Sequence, residues 1–430
     1  MVGFSNRTNK FPVLAVGIAL LLRVNDAAAV MSEELSYHGY FRGSMGTSDQ
    51  GATQAKFQAP GARAKYRLGN EPDFNAELQL NYRHSLPKVE SSDSSIQSVF
   101  MFDGFKNEGE TSDFTVGHIA QVYFVYEGLL PREAQLWIGR RYYQRKSIHI
   151  MNHFWLNPGQ NSHAALGLEN FRLGSSQLDL AVFRNEDRFT VSNSDYLINN
   201  TVLDIRLKQL NLSSSLNGTL WGQVAARHPM EGLNYGGKWG QALGGWLDYR
   251  FSRFKGTAAA LYQTGASITQ SDFNPNSVRE DQGWDLERAR AVEINHVLDY
   301  EATPIWSFQW ALLYREEERG TPGESRLTWI SSGIRPVIYF TRHLNLAVEV
   351  GTDWIDDRVN HRKGQLNKFT VALQLAADRG FRSRPVLRFF ITSAGWSDSF
   401  RGLVGTNPGN APYALRTDGW TIGAQTEAWW

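Results

Sequence analysis

The 430-residue chain contains no cysteine, which removes disulfide staples and thiolate metal sites from consideration. It also lacks any long apolar run: past residue 22 nothing approaches the roughly 18 uninterrupted apolar residues of a transmembrane helix. An excess of charge of one sign is missing too. Lys and Arg number 44 against 43 Asp and Glu, a net +1, so the chain carries no electrostatic footprint for nucleic acid. No G-x-S-x-G elbow and no H-E-x-x-H pair occur, which argues against serine-hydrolase and zinc-peptidase chemistry. His149, His153 and His163 share one stretch, but no further ligands accompany them, and they read as loop structure rather than a metal site. The chain is therefore expected to be no enzyme and to need no cofactor or metal.

What is abundant is aromatic side chain, with 24 Phe, 16 Tyr and 14 Trp, yet mean hydropathy is only −0.39. That combination fits strands that alternate apolar and polar residues, because successive side chains of a strand point to opposite faces. Leu203, Ile205 and Leu207 alternate with Asp204, Arg206 and Lys208. Leu344, Leu346, Val348 and Val350 alternate with His343, Asn345 and Glu349; Phe369, Val371, Leu373 and Leu375 with Lys368, Thr370 and Gln374; and Leu387, Phe389 and Ile391 with Arg384, Arg388 and Phe390. Ala64, Tyr66 and Leu68 alternate with Arg63, Lys65 and Arg67, and after Gly69-Asn70 the pattern resumes from Phe74 to Asn81, which predicts a β-hairpin. In the terminal strand Trp420, Ile422, Ala424, Ala428 and Trp430 share one side, while Thr421, Gln425, Glu427 and Trp429 share the other. The first side suits lipid and the second a wet lumen.

Arg7 and Lys10 precede a short apolar run over residues 11–22, and Ala27-Ala28-Ala29 follows it. This is the pattern of a signal peptide over 1–29, leaving 30–430 as one barrel domain. At strand lengths of about 9 to 11 residues, this length accommodates roughly 16 to 18 membrane-spanning strands, wide enough for an aqueous channel. Polar segments at 87–113, 152–165, 265–288, 353–365 and 395–418 are predicted as loops.

The residues also carry a resemblance. S-Y-H-G-Y-F-R-G at 36–43, A-K-Y-R-L-G-N-E at 64–71 with N-A-E-L at 75–78, W-I-G-R-R-Y-Y-Q-R-K-S-I-H at 137–149, G-L-E-N at 167–170, S-R-P at 383–385 and T-I-G-A-Q-T-E-A-W-W at 421–430 fall in the order of the maltoporin family of sugar-specific porins, which the chain resembles throughout its mature length. The resemblance implies an all-β fold, an 18-stranded antiparallel transmembrane β-barrel with an inward-folded constriction loop. It also implies a homotrimer among outer-membrane lipid in a Gram-negative bacterium, and passive diffusion of maltose or maltodextrins along a line of aromatic rings flanked by charged groups. A sugar's apolar face stacks on a ring while its hydroxyls need polar partners.

Residue by residue, the resemblance assigns stacking to Tyr40, Phe154 and Trp429 and polar contacts to Arg42, Arg67, Glu77 and Arg145, with His118 a weaker match. Trp430 is assigned to lipid. The competing readings are a membrane-interface tyrosine for Tyr40, packed wall or loop residues for Trp429 and Phe154, and salt-bridged wall residues for the charges. The chain also departs from the family: Asn75 and Arg382 stand where rings are expected, Ser147 and Asn152 replace two acids, and the family's first-loop disulfide is absent. Parity sends Phe74 and Phe381 toward lipid rather than into the gaps. A different sugar, such as sucrose or a β-glucoside, and a general diffusion porin are the alternative readings. The long loops also suit a phage or surface receptor.

Overall fold

The computed structural model describes residues 34–430 apart from 52, 87–93, 108–114, 129, 131–132, 161, 192–193, 230–235, 272–277, 303, 324 and 406–412. The segment read as a signal peptide lies outside the described residues. Strands β1 (Leu35–Ser48), β2 (Asp73–Ser85), β3 (Ser95–Asn107), β4 (Thr115–Glu127) and β5 (Gln135–Arg140) come first. A short ribbon follows, β6 (Lys146–Ile148) with β7 (His153–Leu156). Next come β8 (Ser162–Leu173), β9 (Ser176–Val191), β10 (Ser194–Ser213), β11 (Leu216–Arg227), β12 (Lys238–Phe251) and β13 (Phe254–Thr264). The rest are β14 (Arg290–Ala302), β15 (Trp306–Glu318), β16 (Arg326–Tyr339), β17 (Leu344–Asp357), β18 (Arg362–Ala376), β19 (Val386–Trp396) and β20 (Asp418–Trp429).

Apart from the ribbon, each strand pairs antiparallel with the next, β5 pairs with β8, and β20 returns to β1. The result is a closed barrel of 18 strands, as expected. Closure leaves no sheet edge, so the backbone polar groups of the strands are satisfied without water.

The alternation sorts side chains as predicted. On β10, Leu203 and Ile205 are 37% and 38% exposed, whereas Asp204 and Arg206 are fully buried. On β20, Trp420, Ile422 and Trp430 are exposed and Thr421, Gln425 and Glu427 are buried. The Trp430 ring lies over Gly39, where a β-carbon would come within 2.2 Å of it, and so belongs to the outer face with Tyr37 and Phe41.

Four local expectations are corrected. Residues 63–72 form no strand; the first arm of the predicted hairpin is an extended segment lying inside the barrel. Its apolar residues meet the inner wall rather than lipid: Tyr66 and Leu68 are buried, and the Tyr66 ring fills a slot left by Gly333 and Gly351 with its hydroxyl 3.0 Å from that of Ser331. A two-residue period describes any extended chain with unlike sides, paired or not. Residues 95–107 within the predicted 87–113 loop are β3, and most of 353–365 is strand, since β17 reaches Asp357 and β18 starts at Arg362. Toward their loop ends the strands turn polar, which masks the period. Residues 152–165 likewise contain β7 and the start of β8.

Buried charges hold the inward segment in place of a disulfide. The Leu68 carbonyl accepts from Lys368 Nζ at 2.7 Å and Thr370 Oγ1 at 3.1 Å, while the Leu68 amide donates to Glu349 at 3.0 Å. Arg63 makes a two-pronged contact with Glu317, both arms at 2.6 Å. Gly69, at φ +60°, sits where a β-carbon would fall 2.5 Å from Thr392 Oγ1, and its carbonyl accepts from that hydroxyl at 3.0 Å.

The second inward segment, residues 141–161, carries the ribbon across the lumen. It is anchored by Ile150 N to Gln309 at 3.0 Å, by His153 Nε2 with Glu293 at 2.8 Å, and to the first segment by Arg67 N donating to the Ile150 carbonyl at 3.0 Å. This is the expected inward-folded loop. Breaking a buried ion pair by removing one partner costs about 3–5 kcal/mol. Glu349→Gln, which strands Lys368 and Arg335, should lower the unfolding temperature and raise single-channel conductance as the first segment loosens. Heat-dependent gel mobility and planar-bilayer recording check both, and unchanged values would refute the pinning role.

Candidate functional site

Between the wall formed by β1 to β3 and β20 and the inward loop lies a cavity of about 470 Å³. All seven residues singled out from the sequence, Tyr40, Arg42, Arg67, Glu77, Arg145, Phe154 and Trp429, line it. Strand register brings the wall residues together: Tyr40 lies opposite Trp429 on one side and Glu77 on the other, and Arg42 lies opposite Glu427 and Asn75. The loop contributes Arg145 and, from the ribbon, Phe154, which is paired with Ser147.

The charged residues divide into two groups. Arg42 and Arg67 are buried, and their nitrogens are engaged. Arg42 donates to Asp73 at 2.7 Å, Glu71 at 3.0 Å and the Tyr40 hydroxyl at 3.1 Å. Arg67 donates to Glu71 at 3.0 Å, Glu427 at 2.9 Å and the same hydroxyl at 3.0 Å. The Tyr40 hydroxyl in turn donates to Glu427 at 3.2 Å, which leaves its ring, not its oxygen, for a ligand. For the two arginines this geometry matches the salt-bridged-wall alternative.

Arg145 and Glu77 differ. Among the described residues neither has a hydrogen-bond partner. The Arg145 guanidinium lies 4.2 Å from the Tyr142 ring centroid and 5.0 Å from that of Phe154, a cation–π placement that positions the charge without neutralising it. Asn75 Oδ1 and Asp103 Oδ1 also lack partners among the described residues, and both residues line the cavity. Trp429 carries Arg384 over its ring at 4.2 Å and has the His149 ring edge-on at 6.1 Å.

Sequence reasoning missed Phe105, Tyr142, Asp103, His149 and Gln160, which line the cavity with them, as do Asn75, Ser147 and Asn152. Tyr142 and His149 stood inside the quoted 137–149 block. Phe105 and Asp103 share parity on β3, and outward Phe100 and Phe102 between inward positions were the available signal, hidden because the stretch was read as loop. Phe381 is a correction: it is buried inside, 6.1 Å from the His149 ring and 5.8 Å from the Arg335 guanidinium, because the 377–385 turn folds back under the barrel wall. Arg382 borders a second cavity, of about 510 Å³, with Lys146, Ser147, Trp155 and Asp299, and meets Asp299 at 3.4 Å. His118 is exposed opposite Asp103. The three histidines do not converge, and among the described residues no group of three or more His, Asp or Glu is arranged to hold a metal.

A model of the LamB porin family matches residues 35–430, from the first strand to the last residue. The chain belongs to the LamB porin family. The resemblance read from the motifs is thereby borne out, and this porin is a passive β-barrel channel of the Gram-negative outer membrane, not an enzyme. Among solved structures the porin is similar to OccAB4 of Acinetobacter baumannii, at 10% identity over 92% of this chain and 98% of that one with a TM-score of 0.48. It is also similar to OpdK of Pseudomonas aeruginosa, determined with vanillate, at 11% identity over 93% and 99% with a TM-score of 0.46.

Arg145 is the cavity-lining guanidinium that makes no direct ion pair among the described residues; the charge of Glu77 acts on it from the facing wall, where Asp103 also stands. Arg145→Ala should therefore shift the channel toward cations, seen as a change of reversal potential in a KCl gradient. A reversal potential equal to that of the parent protein would show that Arg145 does not set the local field.

Proposed function

We propose that this porin is sugar-specific and passes maltodextrins or related oligosaccharides by passive diffusion, as a homotrimer. The observation that supports this most is the make-up of the cavity: five rings, Tyr40, Phe105, Tyr142, Phe154 and Trp429, share one lining with the unpaired oxygens of Asn75 and Asp103 and with the charges of Glu77 and Arg145. A pyranose presents apolar faces and a rim of hydroxyls, so rings and polar atoms in alternation match it on both counts. A hydrogen bond from a hydroxyl to a charged group adds about 1.5–3 kcal/mol. Contacts of this size spread in series favour passage, since a ligand must leave each site as readily as it enters. Only two of the family's acids are lost from the loop, and Glu77 and Asp103 keep carboxylates on the opposite wall. Maltodextrins, sucrose and β-glucosides all satisfy this chemistry.

A general diffusion porin is the rival, and ion conduction alone does not separate the two. In planar bilayers, linear oligosaccharides should block the ion current saturably. Tyr40→Ala or Trp429→Ala should weaken that block by about 1 kcal/mol, roughly fivefold. Free ion flow with no saturable block by any sugar of a broad panel would sink the sugar-specific reading. Normal block in both variants would reduce the two rings to wall residues.

A further inference from the structure

We infer that β2 and β3 together build a separate pyranose subsite in which Phe105 supplies the ring that Asn75 does not; this rests on the sugar-channel reading above. Register places Asn75 directly opposite Phe105 and Glu77 directly opposite Asp103. Directly opposed residues of an antiparallel pair lie about 4.5–5.5 Å apart at the α-carbon and face the same side. The four side chains therefore form a two-by-two block on the lumen face, and all four line the cavity.

Each member carries its own sign of availability. Phe105 is 47% exposed, an unusual state for a phenyl ring that points away from lipid. Burying apolar surface is favourable, so a ring left open inside a barrel is surface that a ligand can cover. Beside it, Asn75 Oδ1 and Asp103 Oδ1 are buried without a hydrogen-bond partner among the described residues, although buried polar atoms are nearly always paired. Glu77 makes no hydrogen bond among the described residues, and its charge interacts with the Arg145 guanidinium, which faces the block from the loop.

One open ring, three groups of acceptors and one facing donor suit a neutral pyranose whose face lies on Phe105 and whose hydroxyls donate to Asn75, Glu77 and Asp103 and accept from Arg145. A planar aromatic ligand would use the ring but leave the acceptors unmatched. A free anion would meet Glu77 and Asp103 unfavourably. The Glu77–Asp103 rung is level in register with Tyr40, and the Asn75–Phe105 rung lies two residues further toward the Asp73 end of β2 and the Asn107 end of β3. The line of rings is then bent sideways by one strand instead of being interrupted at Asn75.

The test uses the full-length porin in planar bilayers with maltotriose, sucrose and cellobiose added separately, and block expressed as a fraction of each variant's own open current. Phe105→Ala and Phe105→Leu should both weaken block by the sugar that blocks the parent protein about fivefold, and Phe105→Tyr should restore it. Phe105→Leu keeps apolar bulk, so it reports the ring even where the alanine variant fails to assemble. Asp103→Asn should weaken block with Phe105 intact. If a sugar blocks the parent and the leucine variant equally, the subsite is wrong while the sugar-channel reading stands. If neither these three nor any other sugar of a broad panel blocks the parent protein, both fall together.

Discussion

The inner wall of this barrel is charged, and the charges must be neutralised where they stand. A guanidinium or carboxylate enclosed by protein is tolerable only when paired and hydrogen-bonded. Glu427 shows how far this constraint reaches. Its carboxylate accepts from Arg67 at 2.9 Å, from Arg384 and Arg388 at 2.8 Å each, and from Tyr40 at 3.2 Å. Those four donors come from the first inward segment, the 377–385 turn, β19 and β1. One carboxylate thereby ties the seam where the barrel closes to the segment that fills it. Glu349 does the same between β16, β18 and Leu68. The shape of the channel is a consequence of this pairing, because the space left for a solute is whatever the paired charges and the segments they hold do not occupy.

The same constraint sorts the lining into a rigid frame and an available surface. Arg42 and Arg67 look like sugar contacts when only their identity and parity are known, yet their donors are already spent on Glu71, Asp73 and Glu427. They hold Tyr40 in position through its hydroxyl, and Arg384 does the equivalent for Trp429 by covering its ring. Asn75, Glu77, Asp103 and Arg145 are the complement, polar groups whose pairing is incomplete within the described residues. A framework saturated by strong ion pairs can keep weakly engaged groups in fixed positions, which is what a site that must bind and release repeatedly requires.

Much of this was legible in the chain, for a definite reason. A closed barrel in lipid forces strict alternation, so Leu203 against Asp204 or Trp430 against Trp429 declares its side without any knowledge of neighbours. The motif blocks then located seven residues that do share one cavity. Alternation does not reveal whether an extended stretch is hydrogen-bonded into the sheet. Tyr66 and Leu68 obey the strand period, yet they lie inside the barrel, because the inner wall offers Tyr66 a glycine-lined slot. Nor does it see a chain reversing direction, which is how Phe381 reaches the lumen. Phe105 escaped notice because Ser and Asn on either side of β3 resembled a loop. Pairing across strands is long-range information, and a one-dimensional period holds none of it.

Cross-strand register also shows how a lining can give up a ring at one position and keep one within reach on the next strand. On a sheet, a position and its direct partner on the next strand face the same way at α-carbon distances of about 5 Å, less than the width of a pyranose with its hydroxyls. A ring can therefore pass from β2 to β3 and remain within reach of the same sugar, while the vacated position becomes free for a polar side chain. Asn75 with Phe105 has this arrangement, and Glu77 with Asp103 sets two carboxylates side by side on the same wall. Matching one sequence position at a time registers only the ring lost at Asn75. Once strand pairing is considered, that loss is a displacement of one aromatic group by one strand, and in the proposed sugar channel such a displacement changes which sugar fits before it changes whether sugars fit at all.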